Sequence, residues 1–309
     1  MRVLITGGAG YVGTTLTAAL LEKGFFVRCY DVLSFGGDQL IPFFRSKNYE
    51  FVNGDIRDGE KLRKSLQDID FIIHLAAIVG YPACKKDPEL ALQVNLTGTK
   101  ILNLSRQRHQ PIIFASTGSS YGALIDGICT ENTPLNPLTV YGRTKGEAEN
   151  ILMDSGNVVA YRFATAFGLS PRLRLDLLVN DFCYQAVRNR SLVVYEAYFK
   201  RTFIHVADMA LAFIHAINNF DAMKDNVYNC GDNSMNASKM DIAELIKKKV
   251  DFYFHAADIA KDEDARNYEV CYDKLGDTGY HTDISLEQGI DEMLRAFQVI
   301  QIHNPYSNV

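Results

Sequence analysis

The sequence is poor in cysteine, and its cysteines follow no pattern. The six Cys residues are scattered over 309 positions, without the paired spacing of a disulfide framework or the clustered spacing of a zinc site. We therefore expect reduced thiols, as in a cytoplasmic protein, and no bound metal.

Long apolar runs are also missing, and we expect no secretory leader. The most apolar run, residues 71–79, is too short to span a bilayer and contains His74. The printed sequence enters an apolar run at Val3 without the charged and apolar regions of a signal peptide. We expect a cytoplasmic location and no membrane contact.

Basic charge is not in excess. The net charge of -5 and the pI of about 5.8 do not indicate the overall positive charge that is typical of a nucleic-acid-binding protein. Neither an internal repeat nor a low-complexity linker is visible. With 47% hydrophobic residues, the chain can bury one large core or two modest ones.

A glycine turn stands between an apolar run and a helical pattern near the start. Gly7, Gly10 and Gly13 follow residues 3–5, and their spacing is G-x-x-G-x-x-G. The first two allow the backbone to approach a pyrophosphate, and Gly13 allows close helix packing. This context predicts a dinucleotide site, against the alternative of a tight turn with no ligand.

An acid follows the second predicted strand. Asp31 comes directly after residues 26–30, where a carboxylate accepts hydrogen bonds from the adenosine ribose. It would repel a 2'-phosphate, and no Arg follows it immediately. This favours NAD over NADP, although an ordinary solvated loop Asp is the alternative.

Further strands alternate with helices along the chain. Residues 49–53 lead to Asp55 and Ile56, which are placed to contact the adenine. The apolar runs 71–75 and 111–115 read as buried parallel strands, and the long stretch 88–108 as helix. The alternation predicts an α/β fold with a doubly wound parallel sheet. We interpret His74, inside a buried run, as a satisfied core residue rather than a base.

Residues 139–145 contain a possible proton-transfer pair. With a helix entered at Thr139, Tyr141 and Lys145 share one face. An ammonium beside a phenol favours the phenolate, so that a Tyr with an ordinary pKa of about 10 becomes a usable base. The alternative is a solvated helix face. A second match, Tyr81 and Lys85, is disfavoured because Pro82 argues against a catalytic helix.

These pieces occur in the order found in extended short-chain dehydrogenase/reductases of the nucleotide-sugar branch, which the chain resembles over nearly its whole length. The matching residues are 6–13, Asp31, 55–56, 74–77, Asn95, 116–117, 121–122, Tyr141, Lys145, Arg162, 201–208 and Arg266. The resemblance implies a catalytic role for three of them. Thr117 would hydrogen-bond the reacting sugar oxygen, Tyr141 would move the proton, and Lys145 would hold the nicotinamide ribose.

The resemblance also implies binding residues, domains and assembly. Cofactor contacts would come from Gly7, Gly10, Tyr11, Val12, Gly13, Asp31, Asp55, Ile56, Leu75, Ala76, Ala77, Asn95, Tyr141, Lys145 and Phe163, and substrate contacts from Tyr81, Thr117, Ser119, Thr165, Arg172, Asn180, Arg201 and Arg266. Residues 1–165 and 202–230 would form a Rossmann domain that binds NAD. Residues 166–201 and 231–309 would form a smaller domain that binds a nucleotide sugar. Apolar positions on the helices near 88–108 and 139–154, such as Leu92, Leu96, Ile151 and Leu152, would pair two chains into a homodimer.

The residues after Thr117 narrow the reaction. Related 4,6-dehydratases carry an Asp-Glu pair there, and this chain has Gly118 and Ser119. Water elimination needs an acid and a base beyond the Tyr, so the chemistry expected here is hydride and proton transfer at C4. Thr165 replaces a common family Asn, which affects the expected sugar contacts but not the chemistry.

A closer resemblance concerns residues 80–85, 164–182 and 294–297. They are similar to bacterial capsule enzymes that oxidise C4 of GDP-D-glycero-α-D-manno-heptose, which implies a 4-dehydrogenase acting on that sugar. Two alternatives remain open. One is a nucleotide-sugar 4-epimerase or 4-reductase, like UDP-glucose 4-epimerase, and the other is a non-catalytic NAD-binding regulator.

Overall fold

The structure is a computed structural model that describes residues 1–122, 127–257 and 268–302. Its strands are Arg2–Thr6 (β1), Phe26–Asp31 (β2), Tyr49–Asn53 (β3), Phe71–His74 (β4), Ile112–Thr117 (β5), Ile128–Cys129 (β6), Val158–Phe163 (β7), Thr165–Phe167 (β8), Ser191–Tyr195 (β9), Lys200–His205 (β10), Asn226–Cys230 (β11), Asn236–Ser238 (β12), Tyr253–Ala257 (β13) and Glu269–Val270 (β14). Its helices are Tyr11–Glu22 (α1), Gly59–Ser65 (α2), Tyr81–Lys86 (α3), Pro88–Leu92 (α4), Gly98–Ser105 (α5), Val140–Ser155 (α6), Leu178–Arg188 (α7), Val206–Asn218 (α8), Phe220–Met223 (α9), Lys239–Lys247 (α10), Asp273–Gly276 (α11) and Leu286–Val299 (α12). Within these ranges, no helix combines the length and the apolarity needed to cross a bilayer.

Seven parallel strands form the central sheet, in the order β11-β7-β5-β4-β1-β2-β3. The predicted doubly wound parallel sheet is confirmed. The strand order reverses at β1, which lies between β2 and β4. In such sheets, ligands bind beyond the carboxyl ends of the strands at this reversal.

Alternate side chains of the strands fill two cores, one on each face of this sheet. Val3 and Ile5 belong to one core and Leu4 to the other, as the two-residue period of a strand requires. A third apolar core is built from later segments and includes Phe167, Phe203 and others up to residue 297. It occupies much of the region that we predicted as the substrate domain, whose boundaries stay a prediction.

The apolar positions predicted to pair two chains are covered within one chain. Leu96 and Leu152 are buried, because the helices that carry them pack on the central sheet. Leu92 and Ile151 are partly buried against the same core. The surplus of apolar surface expected at these positions is therefore absent at Leu96 and Leu152, while Leu92 and Ile151 keep part of their side chains exposed. The homodimer stays a prediction that these four residues do not support.

Candidate active site

A cavity of about 520 Å³ opens at the carboxyl edge of the sheet, at the ends of β1 and β4. Its walls come from the segments that follow the first five strands, the start of α6, and parts of residues 163–177. Pockets for small molecules commonly have volumes of about 300–1,000 Å³. Motifs that lie far apart in the sequence therefore meet at one cavity of suitable size.

The glycine turn after β1 is packed too closely for side chains. A β-carbon at position 7 would lie 2.7 Å from Ala76 N, and one at position 13 would lie 2.5 Å from Gly7 O. Gly10 is the N-cap of α1, and the first turn of that helix lines the cavity. The N–H groups of a first turn have no intrahelical acceptors, so this turn fits an anion such as a pyrophosphate.

The same turn is tied to the segment that follows β8. Tyr11 Oη donates a hydrogen bond to Gly168 O (2.7 Å), and Ser170 Oγ donates one to Tyr11 O (2.6 Å). The Tyr11 phenol is thus buried and already hydrogen-bonded. The predicted contact between Tyr11 and the cofactor would therefore involve the main-chain atoms of Tyr11. Val12 lines the cavity beside it.

Asp31 is fixed at the end of β2. Its Oδ2 accepts a hydrogen bond from Ala9 N (3.0 Å), and its Oδ1 accepts one from Leu33 N (2.8 Å). Burial raises the pKa of Asp31 above its usual value, and the backbone hydrogen bonds oppose that rise. The carboxylate lies on the cavity wall, where the sequence predicted the ribose contact.

Asp55 and Ile56 line the same end of the cavity. Arg57, which the sequence analysis did not single out, donates two hydrogen bonds to Asp55 through Nε and a shorter one (2.6 Å) through Nη2. These bonds lower the pKa of Asp55. Ile56 is buried beneath Gly98, where a β-carbon would lie 2.6 Å from its Cγ2.

The three residues predicted as catalytic all line the cavity: Thr117, Tyr141 and Lys145. Thr139 Oγ1 accepts a hydrogen bond from Gly142 N (3.1 Å), which confirms the predicted helix entry. Tyr141 and Lys145 are consequently one turn apart on α6. Thr117 ends β5, and its Oγ1 accepts a hydrogen bond from Ser119 N (3.1 Å), which leaves its O–H to donate.

Lys145 is a buried cation at this wall. Only 2% of its surface is exposed, and its Nζ lies 3.9 Å from the centre of the Phe114 ring. Burial lowers the pKa of Lys145 to about 7, while the charge of Glu149 acts in the opposite direction. The charge of Lys145 therefore depends on groups that the protein or a ligand places near it.

His74 is a satisfied core residue, as predicted. Its Nδ1 lies 2.7 Å from Thr6 Oγ1 and its Nε2 lies 2.9 Å from Thr99 Oγ1. Burial, with a smaller effect of Lys145, holds its pKa well below the usual value, so the ring is neutral.

Asn95 lies behind the cavity wall, and its cofactor contact stays a prediction. It is 1% exposed and lies in a π-helical turn, Gln93–Thr97, between α4 and α5. Its side chain accepts from Ile78 N (2.7 Å) and donates to Ile78 O (3.0 Å) and to Thr144 Oγ1 (3.1 Å). The amide satisfies the backbone of the loop after β4, and that loop, through Ile78, forms cavity wall.

Two predicted substrate residues also lie behind the cavity wall, and their substrate contacts stay predictions. Asn180 is fully buried, and its side chain bonds the backbone of Gly168 and the carbonyl of Arg174. Arg201 is 5% exposed and donates to Lys200 O (3.1 Å). Both stabilise the backbone near the cavity without lining it. Arg266 lies outside the described residues.

The other predicted substrate residues do line the cavity: Tyr81, Ser119, Thr165 and Arg172. The guanidinium of Arg172 lies 4.2 Å from the centre of the Phe35 ring, which also lines the cavity. Arg174 also lines the cavity, paired with Asp176 at 2.6 Å.

Tyr81 begins a helix, so Pro82 was not a valid argument against a helix at the second Tyr-Lys match. Tyr81–Lys86 forms the short helix α3, because Pro is tolerated in the first turn of a helix. Lys85 is exposed, unlike Lys145. Burial of the cation, rather than the presence of a helix, distinguishes the two Tyr-Lys pairs.

Three site features had no role assigned to them in the sequence analysis. Glu149 forms a buried ion pair with Arg162, and its position four residues after Lys145 on one helix face was an available signal. Tyr268 lines the cavity from the C-terminal part of the chain, and no local pattern marks it. Ser116 adjoins Thr117 on the cavity wall.

The cavity residues fit a dinucleotide. Ser116 Oγ is buried at the wall and has no hydrogen-bond partner among the described residues, so a ligand group can supply one. Gly7, Gly10 and Gly13 line the cavity, so this turn presents backbone rather than side chains to a pyrophosphate. The Asp31 carboxylate suits two ribose hydroxyls better than a 2'-phosphate.

Comparison with known proteins agrees with this arrangement. Residues 3–231 match the NAD dependent epimerase/dehydratase family. A putative UDP-glucose 4-epimerase of Methanocaldococcus jannaschii is 28% identical over 305 residues, which cover 94% of this chain and 97% of that protein.

Solved structures show the same fold. The UDP-glucose 4-epimerase of Thermotoga maritima with UDP-glucose superposes with a TM-score of 0.85 at 23% identity, covering 96% of this chain and 99% of that one. The UDP-glucuronic acid 4-epimerase of Bacillus cereus, with UDP-glucuronic acid and NAD, gives a TM-score of 0.85 at 24% identity and the same coverage.

The family match covers the whole central sheet, the glycine turn and the Tyr141–Lys145 helix, which is well over half of the chain. NAD, predicted from Asp31 and the glycine turn, is the cofactor of that family. The chain therefore belongs to the NAD-dependent epimerase/dehydratase family.

Proposed function

We propose that this chain is a nucleotide-sugar 4-epimerase, which oxidises C4 of a nucleoside-diphosphate sugar and reduces it again on the opposite face. The observation that carries the proposal is the buried Lys145 one helical turn from Tyr141, with both residues and Thr117 on the wall of one cavity. The relatives named as UDP-sugar 4-epimerases support this chemistry.

The chain's own residues would handle the proton. Tyr141, as phenolate, accepts the proton of the C4 hydroxyl and returns it when C4 is reduced. Lys145 is the buried cation that favours this phenolate, and Thr117 donates a hydrogen bond that holds the sugar oxygen. Bound NAD supplies the group that takes the hydride from C4 and gives it back.

Gly118 and Ser119 limit the fate of the oxidised sugar. Neither provides a carboxyl group beside Thr117, so the keto sugar meets no added acid-base pair for loss of water. Reduction or release of the keto sugar remains. The expected product is therefore an epimer or a keto sugar and not a deoxy sugar.

Release of the keto sugar is a second candidate. The segments that resemble capsule enzymes acting on GDP-D-glycero-α-D-manno-heptose, residues 80–85 and 164–182, both contribute to the cavity wall. In this version the same three residues oxidise C4 of that heptose, and the 4-keto sugar leaves with net formation of NADH.

One experiment separates these outcomes. NAD-loaded protein is incubated with UDP-glucose, UDP-glucuronic acid and GDP-D-glycero-α-D-manno-heptose, and products are identified by NMR while NADH is followed by absorbance. A C4 epimer without accumulating NADH supports the epimerase. A 4-keto sugar together with equimolar NADH contradicts the epimerase and supports the dehydrogenase. A 4-keto-6-deoxy product, or no turnover of any nucleotide sugar, overturns the proposal.

A further inference from the structure

Tyr268 lines the cavity, and the proposed mechanism assigns no role to it. It is 7% exposed, lines the cavity and directly precedes β14. That short strand pairs with β6, so the chain returns here from a distant part of the sequence.

Its hydroxyl lies beside a position without a side chain. A β-carbon at Gly118 would lie 3.6 Å from Tyr268 Oη and 3.4 Å from Phe163 O. A single methyl group would fit there, but any longer side chain would have to share this space with the phenol. Gly118 directly follows Thr117, so the Tyr268 hydroxyl is close to the residue that holds the reacting oxygen.

The ring of Tyr268 is held in place from the side. It packs edge-to-face against Tyr121, with ring centres 6.5 Å apart. Tyr121 is itself fixed, because its Oη donates to Asn229 Oδ1 (2.6 Å) and accepts from Arg162 Nη1 (3.1 Å). A rigidly held phenol presents its hydroxyl to a ligand at a low cost in conformational entropy.

We propose that the Tyr268 hydroxyl hydrogen-bonds a sugar hydroxyl next to the reacting carbon and thereby selects among nucleotide sugars. The inference rests on the proposed function, because it places the sugar ring beside Thr117. The hydroxyl groups concerned are those nearest C4, on C3 or C6. The neutral hydroxyl of Tyr268 would thus occupy the space that a longer side chain at position 118 would fill.

The test is a double-mutant cycle between the protein and the sugar. Wild type and Tyr268→Phe, both NAD-loaded, are compared on a substrate that the wild type accepts and on its 3-deoxy and 6-deoxy analogues. We expect the variant to lose about tenfold in kcat/KM on the parent substrate, as for one hydrogen bond. On one of the two deoxy analogues, the wild type and the variant should have the same kcat/KM. An equal loss on all three sugars, or no loss on any, overturns the inference.

A binding measurement keeps this test independent of turnover. Calorimetry gives the affinity of UDP-glucose relative to UDP, and Tyr268→Phe should reduce that ratio while UDP binding stays constant. If the wild type turns over no nucleotide sugar but this ratio falls, the proposed function fails and the role of Tyr268 stands. An unchanged ratio overturns the role of Tyr268 even where turnover is found. Tyr253→Phe, at a residue 66% exposed on β13, is the matched control and should change neither quantity.

Discussion

Glu149 and Arg162 form a buried ion pair, with 2.6 Å between Glu149 Oε1 and Arg162 Nη2. Arg162 Nε donates to the same carboxylate, while Nη1 donates to Tyr121 Oη. Glu149 lies one helical turn after Lys145, and its charge opposes the effect of burial on the Lys145 pKa. The pair thus joins α6 to β7 and also places a negative charge near the proposed catalytic cation.

Removing one partner of this pair should be costly. Glu149→Gln leaves the Arg162 charge buried without a counterion, and we expect the free energy of unfolding in urea to fall by about 3–5 kcal/mol. The double variant Glu149→Gln, Arg162→Met removes both charges and should recover part of the loss. A single variant as stable as the wild type would contradict this role of the pair.

Lys145 should make stability depend on pH. Its pKa is about 7 in the folded chain, against about 10.4 for an unperturbed Lys. Between these values the unfolded chain binds a proton that the folded chain does not, so this residue's contribution to the free energy of unfolding rises with pH. Its cost is fully present below pH 7.

The measurement is urea unfolding of cofactor-free wild type and Lys145→Met at pH 7, 8 and 9. Relative to the variant, the wild type should gain about 2 kcal/mol over this range. His74 and Cys84 also interact electrostatically with Lys145, and both are present in the two proteins. A difference that stays constant with pH would contradict the lowered pKa, because it would show that Lys145 stays charged in the folded chain throughout this range.

Tyr141→Phe should separate chemistry from binding. The phenylalanine keeps the ring but cannot accept a proton, so turnover should fall by on the order of 10²-fold or more while NAD affinity stays nearly constant. Stopped-flow kinetics measure the turnover rate, and calorimetry measures the affinity for NAD. Tyr198→Phe, at a residue 77% exposed, serves as the control. If Tyr141→Phe retains wild-type turnover, another group is the base.

Asp31 should select NAD over NADP. Asp31→Ala removes the carboxylate that would meet the ribose hydroxyls, so NAD binding should weaken by roughly tenfold. The gap between NAD and NADP should narrow, because the repulsion of a 2'-phosphate is also lost. Asp31→Asn keeps one hydrogen-bond acceptor but not the charge. In a fluorescence titration, its affinity for NAD should lie between those of the wild type and Asp31→Ala. Equal wild-type affinities for NAD and NADP would refute this role.

The homodimer can be tested directly. Light scattering at micromolar concentration should give twice the chain mass of 34.6 kDa. Leu104 on α5 is 80% exposed, and Leu104→Glu should shift the equilibrium toward monomer if that helix takes part. A wild type that is only monomeric would rule out the dimer at this concentration.

The sequence predicted those features that depend on local backbone chemistry. Gly7 and Gly13 were recognisable because only glycine fits their backbone positions, and Asp31 because it follows a strand at a defined point. The parallel sheet followed from the alternation of apolar runs and helices. These signals depend on a few neighbouring residues, so one sequence contains them.

Other residues could not be assigned in this way. Asn95 and Asn180 have side chains that suit a ligand, yet both hydrogen-bond irregular backbone instead. An amide group serves either purpose equally well, and only the path of the neighbouring loop decides between them. Tyr268 and the Glu149–Arg162 pair depend on contacts between distant segments, which no local pattern records.

The hydrogen bonds between Tyr11, Gly168 and Ser170 should link the predicted cofactor and sugar sites thermodynamically. The first turn of α1, where we predict the cofactor phosphates, shares these bonds with the segment that leads to Arg172. A ligand that orders one of these segments reduces the entropy that the other must lose. Cofactor and sugar should therefore raise each other's affinity by the same factor, as reciprocity of coupled binding requires.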